Sequence, residues 1–398
     1  MKNVKYICTA MLLMSFCSVF SQEQNLDSAF AQSERSEAKQ DFKTAISIMN
    51  GAYDKSSYEI NLRLGWLNYE AGQYAESEKY YKQATDLRPD AIEPRLGYTT
   101  VAGAMGNAND LIDQYSKILA INPQNSYANY WMGMVYYNKK DYQTALKYFE
   151  KVVNLYPFDY NGLLMDGWTK YRLGKTTEAK ILFEKVLCIS PDDKSAGEGL
   201  SAINDASNST ASQDKNLASA FSQSENFESQ KDYKSAMEAM NKVYDESSYE
   251  TNLRLGWLNY EAGEYAKSET YYKKAIDLMP YSIEPRLGYA TVANALSNAN
   301  DLITQYSKVL EIDPQNSYAN YWIGMVYYNK KDYQTALKYF EKVMSLYPFD
   351  YDGLNMCAWT KYQLGKTAEA KTLFEKVLLI SYSDSSAQYG LRMVSDSK

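Results

Sequence analysis

The chain has 398 residues, of which 45% are hydrophobic and 23% are charged, a composition typical of a folded protein. Its formal net charge of −7 argues against nucleic acid and anionic membrane surfaces as partners, because both require a basic face. Tyrosine occurs 39 times and histidine is absent, so the commonest general base and transition-metal ligand is missing.

The first residues resemble a targeting segment. Lys2 and Lys5 precede an apolar run over residues 6–20 that is too short for a comfortable bilayer span, and small residues follow at the spacing that a signal peptidase recognises. We therefore predict a signal peptide at residues 1–21, with export to the periplasm, the cell surface or the medium. Cys17 leaves lipid anchoring open, although the large residue before it disfavours that signal. No later apolar run approaches membrane length, which predicts no membrane span in the mature protein.

A long duplication organises the rest of the chain. Residues 25–190 return at residues 216–381 with a constant offset of 191 residues, so that NLRLGWLNYEAG begins at Asn61 and again at Asn252. Neither an insertion nor a deletion separates the two copies. The constant offset predicts two homologous halves with one fold.

A shorter period of about 34 residues lies inside each copy. In the fourth period of the first copy, Tyr130, Met134 and Tyr137 are spaced by four and three residues. After a Lys-Lys-Asp break, the same intervals return up to Phe149. This spacing predicts two amphipathic helices joined by a tight turn, and Pro157 closes the pair because proline cannot continue a helix. Neither helix buries its apolar face alone, so each pair needs neighbours.

These residues resemble the tetratricopeptide repeat (TPR). That pattern has Leu-Gly in the first helix, a small turn residue, Ala and an aromatic residue in the second helix, and a closing Pro. Residues 58–91 supply Leu64, Gly65, Gly72, Tyr74, Tyr81, Ala84 and Pro89. The other units of the first copy are residues 25–57, 92–125, 126–159 and 160–193, and the offset gives five more in the second copy. The resemblance implies an all-α fold, an α-solenoid of about ten TPR helix-turn-helix units in two homologous halves.

The ends of each copy predict domain boundaries. Residues 194–206 and residues 385–394 each have the pattern of one further amphipathic helix that caps the last unit. Between the copies, SNSTASQD has no apolar anchor and is typical of a linker. We therefore predict TPR arrays at residues 22–206 and 216–398, each with five units and a capping helix, joined by a polar linker at residues 207–215. The caps favour two lobes, although one continuous superhelix stays open.

The aromatic residues fall into two sets. Six stand where TPRs pack one helix against another, which predicts interior packing: Tyr74, Tyr81, Tyr136, Tyr142, Phe149 and Phe183. The second set lies on the first helix of each unit, on the side that TPRs turn towards a concave groove, with Arg and Asn beside it. Because rigid rings with directional donors form binding hot spots, we predict a partner-binding groove here. It comprises Arg63, Trp66, Tyr69, Arg95, Tyr98, Tyr127, Tyr130, Met134, Tyr137, Asn138, Trp168 and Tyr171 in the first copy, and Arg254, Trp257, Tyr260, Arg286, Tyr289, Tyr318, Tyr321, Met325, Tyr328, Asn329, Trp359 and Tyr362 in the second.

Burial of these rings between neighbouring first helices is the alternative to a binding groove. We expect Trp66, Tyr98, Tyr137 and Trp168 to be the exposed members of the set. The fourth unit is nearly identical in the two copies, which favours a functional centre there that includes Trp131. TPRs that clamp a C-terminal carboxylate carry Lys, Arg or Asn at groove positions that here hold Leu62, Trp66 and Tyr130, so the resemblance does not extend to such clamping.

The residue types also disfavour catalysis. Cys188 and Cys357, the only cysteines after the predicted signal peptide, have no imidazole partner for a thiol hydrolase and are typical of small buried hydrophobic side chains. A glycine-rich phosphate loop is absent. We therefore predict that the protein is not an enzyme and has no cofactor and no metal site.

The sequence thus predicts a non-catalytic scaffold that binds a protein or peptide partner in a concave TPR groove. The alternative is a glycan-binding module of the cell envelope that uses Trp and Tyr as stacking platforms, with polysaccharide as its partner. A third hypothesis is architectural, in which the duplication provides bivalent binding. The sequence does not identify the partner.

Overall fold

The computed structural model describes residues 26–207 and 214–396, and these residues form 22 helices and no strand. The first copy contains α1 at residues 26–37, α2 (Phe42–Gly51), α3 (Tyr58–Glu70), α4 (Tyr74–Leu87), α5 (Glu93–Ala104), α6 (Ala108–Ile121), α7 (Ser126–Asn138), α8 (Tyr142–Leu155), α9 (Tyr160–Arg172), α10 (Thr176–Ile189) and α11 (Lys194–Ser207). The second copy contains α12 (Asp214–Ser229), α13 (Tyr233–Asn241), α14 (Tyr249–Glu261), α15 (Tyr265–Leu278), α16 (Glu284–Ala295), α17 (Ala299–Ile312), α18 (Ser317–Asn329), α19 (Tyr333–Leu346), α20 (Tyr351–Gln363), α21 (Thr367–Ile380) and α22 (Ser385–Asp396).

Helices follow one another in pairs along the chain, so the predicted all-α fold of about ten helix-turn-helix units is confirmed. Helices also form where the two caps are predicted, as α11 and α22. Within the described ranges, no helix is long and apolar enough to cross a bilayer. The predicted signal peptide and residues 208–213 of the predicted linker lie outside those ranges.

Short polar side chains begin many of the helices. Before α8, Asp141 accepts a hydrogen bond from the Thr144 N–H at 3.1 Å. Before α7, Asn125 accepts one from the Ala128 N–H at 2.8 Å. Each bond satisfies a donor that the first turn of a helix leaves without a partner. In α5, Pro94 occupies the first turn, where its missing N–H costs nothing.

The helix pairs turn through a residue with positive φ. In the second unit this residue is Gly72, with φ of 71°, and in the fourth it is Lys140, with φ of 62°. Glycine adopts this left-handed conformation freely, whereas other residues lose roughly 1 kcal/mol or more. The same conformation occurs at Gln40, Gly72, Gly106, Lys140 and Gly174 in the first copy and at Lys231, Gly263, Ser297, Lys331 and Gly365 in the second. The packing of the paired helices therefore keeps the turn even where glycine is absent.

Aromatic rings of the second helices pack against glycines of the first helices. Phe149 is fully buried, and a Cβ atom on Gly133 would lie only 2.7 Å from its ring. Tyr81 is buried as well, and a Cβ atom on Gly65 would lie 2.9 Å from its ring. Real side chains do not approach so closely, which explains the Leu-Gly pair of the repeat. The pairing recurs for Phe183 with Gly167 and for Tyr272 with Gly256.

The prediction of interior packing is confirmed for Tyr81, Phe149 and Phe183, but it is wrong for Tyr74. Tyr74 is 37% exposed because it is the first residue of α4, and its ring contacts that of Tyr69 with centroids 5.9 Å apart instead of entering the helix interface. The remaining members of that set, Tyr136 and Tyr142, are half-buried.

The chain divides into two compact units that do not coincide with the two copies. The first unit combines the residues up to Asp110 with those from Tyr327 onward, and the second unit spans Leu111–Val326. Each unit therefore contains parts of both copies, whereas the predicted arrays at residues 22–206 and 216–398 follow the sequence repeat.

In the first unit, the beginning of the first copy packs against the end of the second. The Ile92 N–H donates to the Leu346 carbonyl at 2.8 Å. The rings of Phe30 and Phe349 meet edge to face, with centroids 6.1 Å apart. Leu379 belongs to the same core as Phe30. These contacts join residues that are more than half the chain apart.

The second unit contains the corresponding contacts, each 191 positions away. The Ile283 N–H donates to the Leu155 carbonyl at 2.8 Å, and the rings of Phe158 and Phe221 lie 5.5 Å apart. Cys188 takes the place of Leu379 in a core that includes Phe221. Because α12 packs on α10 in this way, α11 does not end the packing of the first copy.

Cys188 and Cys357 are both buried. The position of Cys188 opposite Leu379 confirms the prediction that it acts as a small hydrophobic side chain.

A buried carboxyl group lies at each contact between the copies. In the first unit, Glu93 Oε2 accepts a hydrogen bond from the Tyr58 hydroxyl at 2.7 Å and another from the Phe349 N–H at 3.0 Å. The second unit repeats both bonds at Glu284, from Tyr249 at 2.9 Å and from the Phe158 N–H at 3.2 Å. One side chain therefore connects backbone and hydroxyl groups of two copies.

Burial is the main cause that raises the pKa of Glu93 and of Glu284 from 4.5 to about 7. The two accepted hydrogen bonds oppose this shift. Neighbouring carboxylates add to it: Asp350 and Glu59 at Glu93, and Asp159 and Glu250 at Glu284. Two neighbours have cationic partners, since Lys376 pairs with Glu59 at 2.6 Å and Lys185 pairs with Glu250 at 2.7 Å.

We predict that these two carboxyl groups make the fold less stable as the pH rises. Between pH 4.5 and about 7, the folded chain keeps protons on Glu93 and Glu284 that the unfolded chain releases. Their contribution therefore falls with rising pH, by on the order of 3 kcal/mol for each carboxyl over the whole window. The double variant Glu93→Gln, Glu284→Gln keeps the acceptor oxygen but does not ionise, so its melting temperature should exceed that of the parent at pH 8 and match it near pH 5.

The check is thermal denaturation of parent and variant across this pH range. The control is Asp54→Asn with Asp245→Asn, which replaces exposed carboxylates whose pKa is lowered by hydrogen bonds from Ser56 and Ser247. A difference in melting temperature between parent and variant that is the same at pH 5 and pH 8 would contradict the prediction.

Candidate binding surface

Trp66 and Arg63 on α3 share one acceptor on α1. The Trp66 indole N–H donates to Glu37 Oε1 at 2.6 Å, and Arg63 pairs with Glu37 Oε2 at 2.5 Å. Arg63 Nε also donates to the Ser33 hydroxyl at 3.1 Å. The Trp66 ring nevertheless stays 41% exposed and contacts Tyr69 at 6.0 Å. The second copy repeats these contacts through Trp257, Arg254, Glu228, Ser224 and Tyr260.

Trp168 on α9 is bound in a similar way to α11. Its indole N–H donates to the Ser195 hydroxyl at 2.8 Å, and its ring packs edge to face on Phe183 and on Tyr171 at 5.1 and 5.7 Å. Trp168 and Tyr171 are therefore half-buried between neighbouring first helices. Trp359 and Tyr362 occupy the same positions in the second copy, with Ser386 as the hydroxyl acceptor.

The Tyr137 ring lies over the turn between α7 and α8, where it contacts Tyr142 at 5.2 Å. Its hydroxyl hydrogen-bonds to Arg172 on α9, and this bond is the main cause of a raised pKa of that guanidinium. In the second copy, Tyr328 contacts Tyr333 at 5.3 Å and hydrogen-bonds to Gln363, which replaces the arginine.

The most exposed rings of the predicted set are Tyr127 on α7 and its counterpart Tyr318 on α18. Tyr127 is 50% exposed, and its ring contacts Trp131 one helical turn later at 6.1 Å. Tyr115 supports Tyr127 from α6 at 6.5 Å, and Tyr130 packs on Trp131 at 5.4 Å and on Phe149 at 5.8 Å. Tyr318, Trp322, Tyr306 and Tyr321 form the corresponding cluster in the second copy.

Tyr98 and Arg95 correct the predicted groove. Tyr98 was expected to be exposed, but it is only 8% exposed, and its hydroxyl donates to Glu78 at 2.7 Å. Arg95 is buried and donates to the Pro89 carbonyl at 2.7 Å. Both side chains turn towards α4 and the loop after it, where Glu78 and the Pro89 carbonyl accept their hydrogen bonds. The equivalents in the second copy are Tyr289, which is buried and donates to Glu269, and Arg286, which is half-buried and donates to Pro280.

The other predicted residues divide between surface and interior. Tyr69 and Met134 are half-buried, as are Tyr260 and Met325 in the second copy, and Asn138 and Asn329 are exposed at the ends of α7 and α18. Of the four side chains expected to be exposed, only Trp66 is; Tyr137 and Trp168 are half-buried and Tyr98 is buried.

The sequence prediction missed several residues that shape this surface. Trp131 was predicted for the functional centre of the fourth unit but not for the groove set, and it is 38% exposed beside Tyr127, whereas Trp322 was not predicted at all. Their spacing of four residues from Tyr127 and Tyr318 was the available signal. Glu37 and Glu228 gave no signal, because their partners lie about thirty residues further along the chain.

The geometry therefore favours contact through ring faces. The indole N–H groups and Arg63 are engaged within the protein, whereas the faces of Trp66, Tyr127 and Trp131 reach solvent. Such rings supply a large apolar area at a small entropic cost.

Comparison with known proteins identifies the class of this fold. One tetratricopeptide-repeat family model matches residues 126–159 and 317–350, and another matches residues 58–91 and 249–281. The chain thus contains tetratricopeptide repeats at these four positions, and the predicted resemblance to that repeat is confirmed.

Relatives carry the same repeat at low identity. A TPR repeat-containing protein of Methanocaldococcus jannaschii is 23% identical over 357 residues, which cover 80% of this chain and 62% of that protein. The RNA polymerase-associated protein CTR9 of Caenorhabditis elegans is 24% identical over 285 residues, which cover 68% of this chain and 23% of that protein. This chain therefore spans less than two thirds of either relative. A crystal structure of a tetratricopeptide repeat protein from Parabacteroides merdae is 17% identical with a TM-score of 0.41, over 68% of this chain and 99% of that one.

We predict that Glu37 holds both Arg63 and Trp66 in place. Glu37→Ala removes the acceptor that the Trp66 indole and the Arg63 guanidinium share, while Arg63 keeps its hydrogen bond to Ser33, so the free energy of unfolding should fall by about 1 kcal/mol. The intrinsic tryptophan fluorescence should shift as the indole loses its bond. The measurements are chemical denaturation and the emission spectrum.

The control for this prediction is Glu76→Ala. Glu76 pairs with Lys79 at 3.0 Å, but both side chains are more than half exposed, so the loss should be small. Equal effects of the two substitutions would show that Glu37 has no special role.

Proposed function

We propose that the protein is a non-catalytic scaffold that binds a protein or peptide partner through the aromatic rings of its first helices. The observation that carries the proposal is the exposed pair Tyr127 and Trp131, whose counterparts in the second copy are the exposed Tyr318 and the half-buried Trp322. Rings of this size are among the strongest contributors to protein interfaces, and their burial by a partner removes a large apolar area from water.

The arrangement of donors supports the kind of contact that we propose. Arg63 is paired with Glu37, and Arg95 is buried against a carbonyl group, so neither offers its charge to an acidic ligand on this face. A partner would therefore meet ring faces and their hydroxyl edges. The Caenorhabditis elegans relative is named an RNA polymerase-associated protein, which is in keeping with a role in protein association.

We predict that the exposed pairs carry partner capture. The double variant Tyr127→Ala, Trp131→Ala should lower the amount of partner recovered by the full chain from a cell-envelope extract, and the addition of Tyr318→Ala and Trp322→Ala should abolish recovery. If the pairs bind one multivalent target, the first double variant alone should cause a large loss of apparent affinity. The measurement is affinity capture followed by quantitative mass spectrometry.

Ile181→Ala is the matched control, because Ile181 is an exposed apolar residue on a second helix. Circular dichroism should show unchanged helicity for all variants. Partner recovery by the quadruple variant at the level of the parent would refute the proposal.

A glycan-binding role is the second candidate, and the fixed Trp66 ring favours it. The bond to Glu37 holds an exposed indole face in one orientation, which is what stacking on a sugar ring requires. Titration of the protein with envelope polysaccharides distinguishes the two roles, since stacking should quench tryptophan emission. Quenching that persists in the quadruple variant but is lost in Trp66→Ala, Trp257→Ala would favour glycans.

We also propose that the protein is exported through the signal peptide predicted at residues 1–21. The support is the sequence pattern of Lys2 and Lys5 followed by a short apolar run. Expression of the full chain should give a mature N-terminus near Gln22 in the exported fraction, as measured by N-terminal sequencing. Recovery of the chain in the cytoplasm with residues 1–21 still attached would contradict export, and a lipid on Cys17 would favour anchoring.

A further inference from the structure

A cavity of about 730 Å³ lies in the second unit, and its lining includes no member of the aromatic pairs. Its volume falls in the range of ligand-binding clefts. Both copies contribute to it: Gln124, Lys151, Asn154 and Leu155 from the first copy, and Pro280, Tyr281, Arg286, Lys308, Glu311 and Ile312 from the second.

The lining of this cavity is basic on a protein whose net charge is −7. Lys308 is paired with Glu311 at 2.9 Å, so these two charges cancel. Lys151 has no ion pair or side-chain hydrogen bond with any residue that the structure describes. Because Glu311 also lies near Arg286, three cations of the lining share one carboxylate, which leaves a net charge of +2. Concave sites with a net charge concentrate ligands of the opposite sign.

Arg286 is held in place but is not satisfied. It donates to the Pro280 carbonyl at 2.8 Å, which orients the guanidinium at the cavity wall. Its Nε atom is buried and has no hydrogen-bond partner within the described part of the chain. Burial lowers the pKa of Arg286, although the nearby Glu311 opposes this shift, so its surroundings leave part of the charge without compensation. An anionic ligand would supply that compensation.

The remaining wall is apolar and aromatic. Leu155 and Ile312 line the cavity, and Tyr281 at its edge is 80% exposed. An inorganic anion makes no use of such a wall or of this volume. A short chain that alternates carboxylate and apolar side chains uses both.

We infer that this cavity is a binding site for an acidic peptide segment of a protein partner. This inference extends the proposed function by a second binding site. The second site lies at the contact between the copies, whereas the first consists of the aromatic rings of the first helices. The carboxylates of the peptide meet Lys151 and Arg286, and its apolar side chains meet Leu155, Ile312 and the Tyr281 ring.

The two copies are not equivalent at the positions that form this site. Asp90 and Ala120 correspond to Tyr281 and Glu311 in the other copy. Asp90 would introduce a negative charge where Tyr281 offers a neutral ring. The cations are the same in both copies, since Lys342 and Arg95 correspond to Lys151 and Arg286, so the Tyr281 ring is the feature that favours an apolar side chain at this site alone.

Fluorescence anisotropy of the full chain with a fluorescein-labelled peptide of alternating Glu and Leu residues tests the inference. We expect saturable binding that weakens as sodium chloride is added, and no comparable binding of a Lys and Leu peptide. Lys151→Glu should weaken binding roughly tenfold or more, because it replaces an attractive charge with a repulsive one. Tyr281→Asp, which introduces the residue of the other copy, should weaken it as well.

Lys342→Glu is the matched control, since Lys342 corresponds to Lys151 in the other copy and the change in net charge is identical. It should alter binding less than twofold if the cavity is the site. Equal losses in Lys151→Glu and Lys342→Glu, or no saturable binding, would overturn the inference. Complete competition by inorganic phosphate would show an unspecific anion site and would also overturn it. The variant Tyr127→Ala, Trp131→Ala should bind the peptide normally, which separates this result from a failure of the proposed function.

Discussion

The close approach of paired helices is the constraint on which the rest of the structure depends. Phe149 fills the interface of its unit only because Gly133 has no side chain there, and Tyr81 relies on Gly65 in the same way. Any Cβ atom at these glycines would push the helices apart and open a void around the ring. With this spacing maintained, the first helices of neighbouring units come close enough for Trp66 to reach a carboxylate on α1.

Close packing also joins the two copies of the duplication. The beginning of one copy packs against the end of the other with the same residues in each unit, as the rings of Phe30 with Phe349 and Phe158 with Phe221 show. A buried carboxyl at Glu93 or its equivalent accepts a bond from the opposite copy, so a costly polar group is retained at each contact. Specific hydrogen bonding of this kind fixes the register between the copies in a way that apolar contact alone does not.

These packing rules divide the polar and aromatic residues into different roles. The donors of Arg63 and Trp66 stabilise contacts between first helices, and what remains available is the face of a ring. On α7, the rings of Tyr127 and Trp131 remain 50% and 38% exposed, although Tyr115 on α6 supports Tyr127 from one side. Charge that is open to a ligand is found in the basic cavity that contains Lys151, which is lined by both copies.

Local sequence patterns determined the helices, their pairing and the interior rings, because a period of 34 residues and the spacing around Phe149 depend on neighbours in the chain. The local sequence provided little indication of the left-handed backbone at Lys140, because the packing of the paired helices imposes it. Only the tertiary structure decided which members of the aromatic stripe are exposed: Trp66 is open, whereas Tyr98, predicted on the same criterion, is buried. The reason is physical. Exposure, the contacts between copies and the cavity depend on residues far away in sequence, and a helical pattern specifies a face but not what covers it.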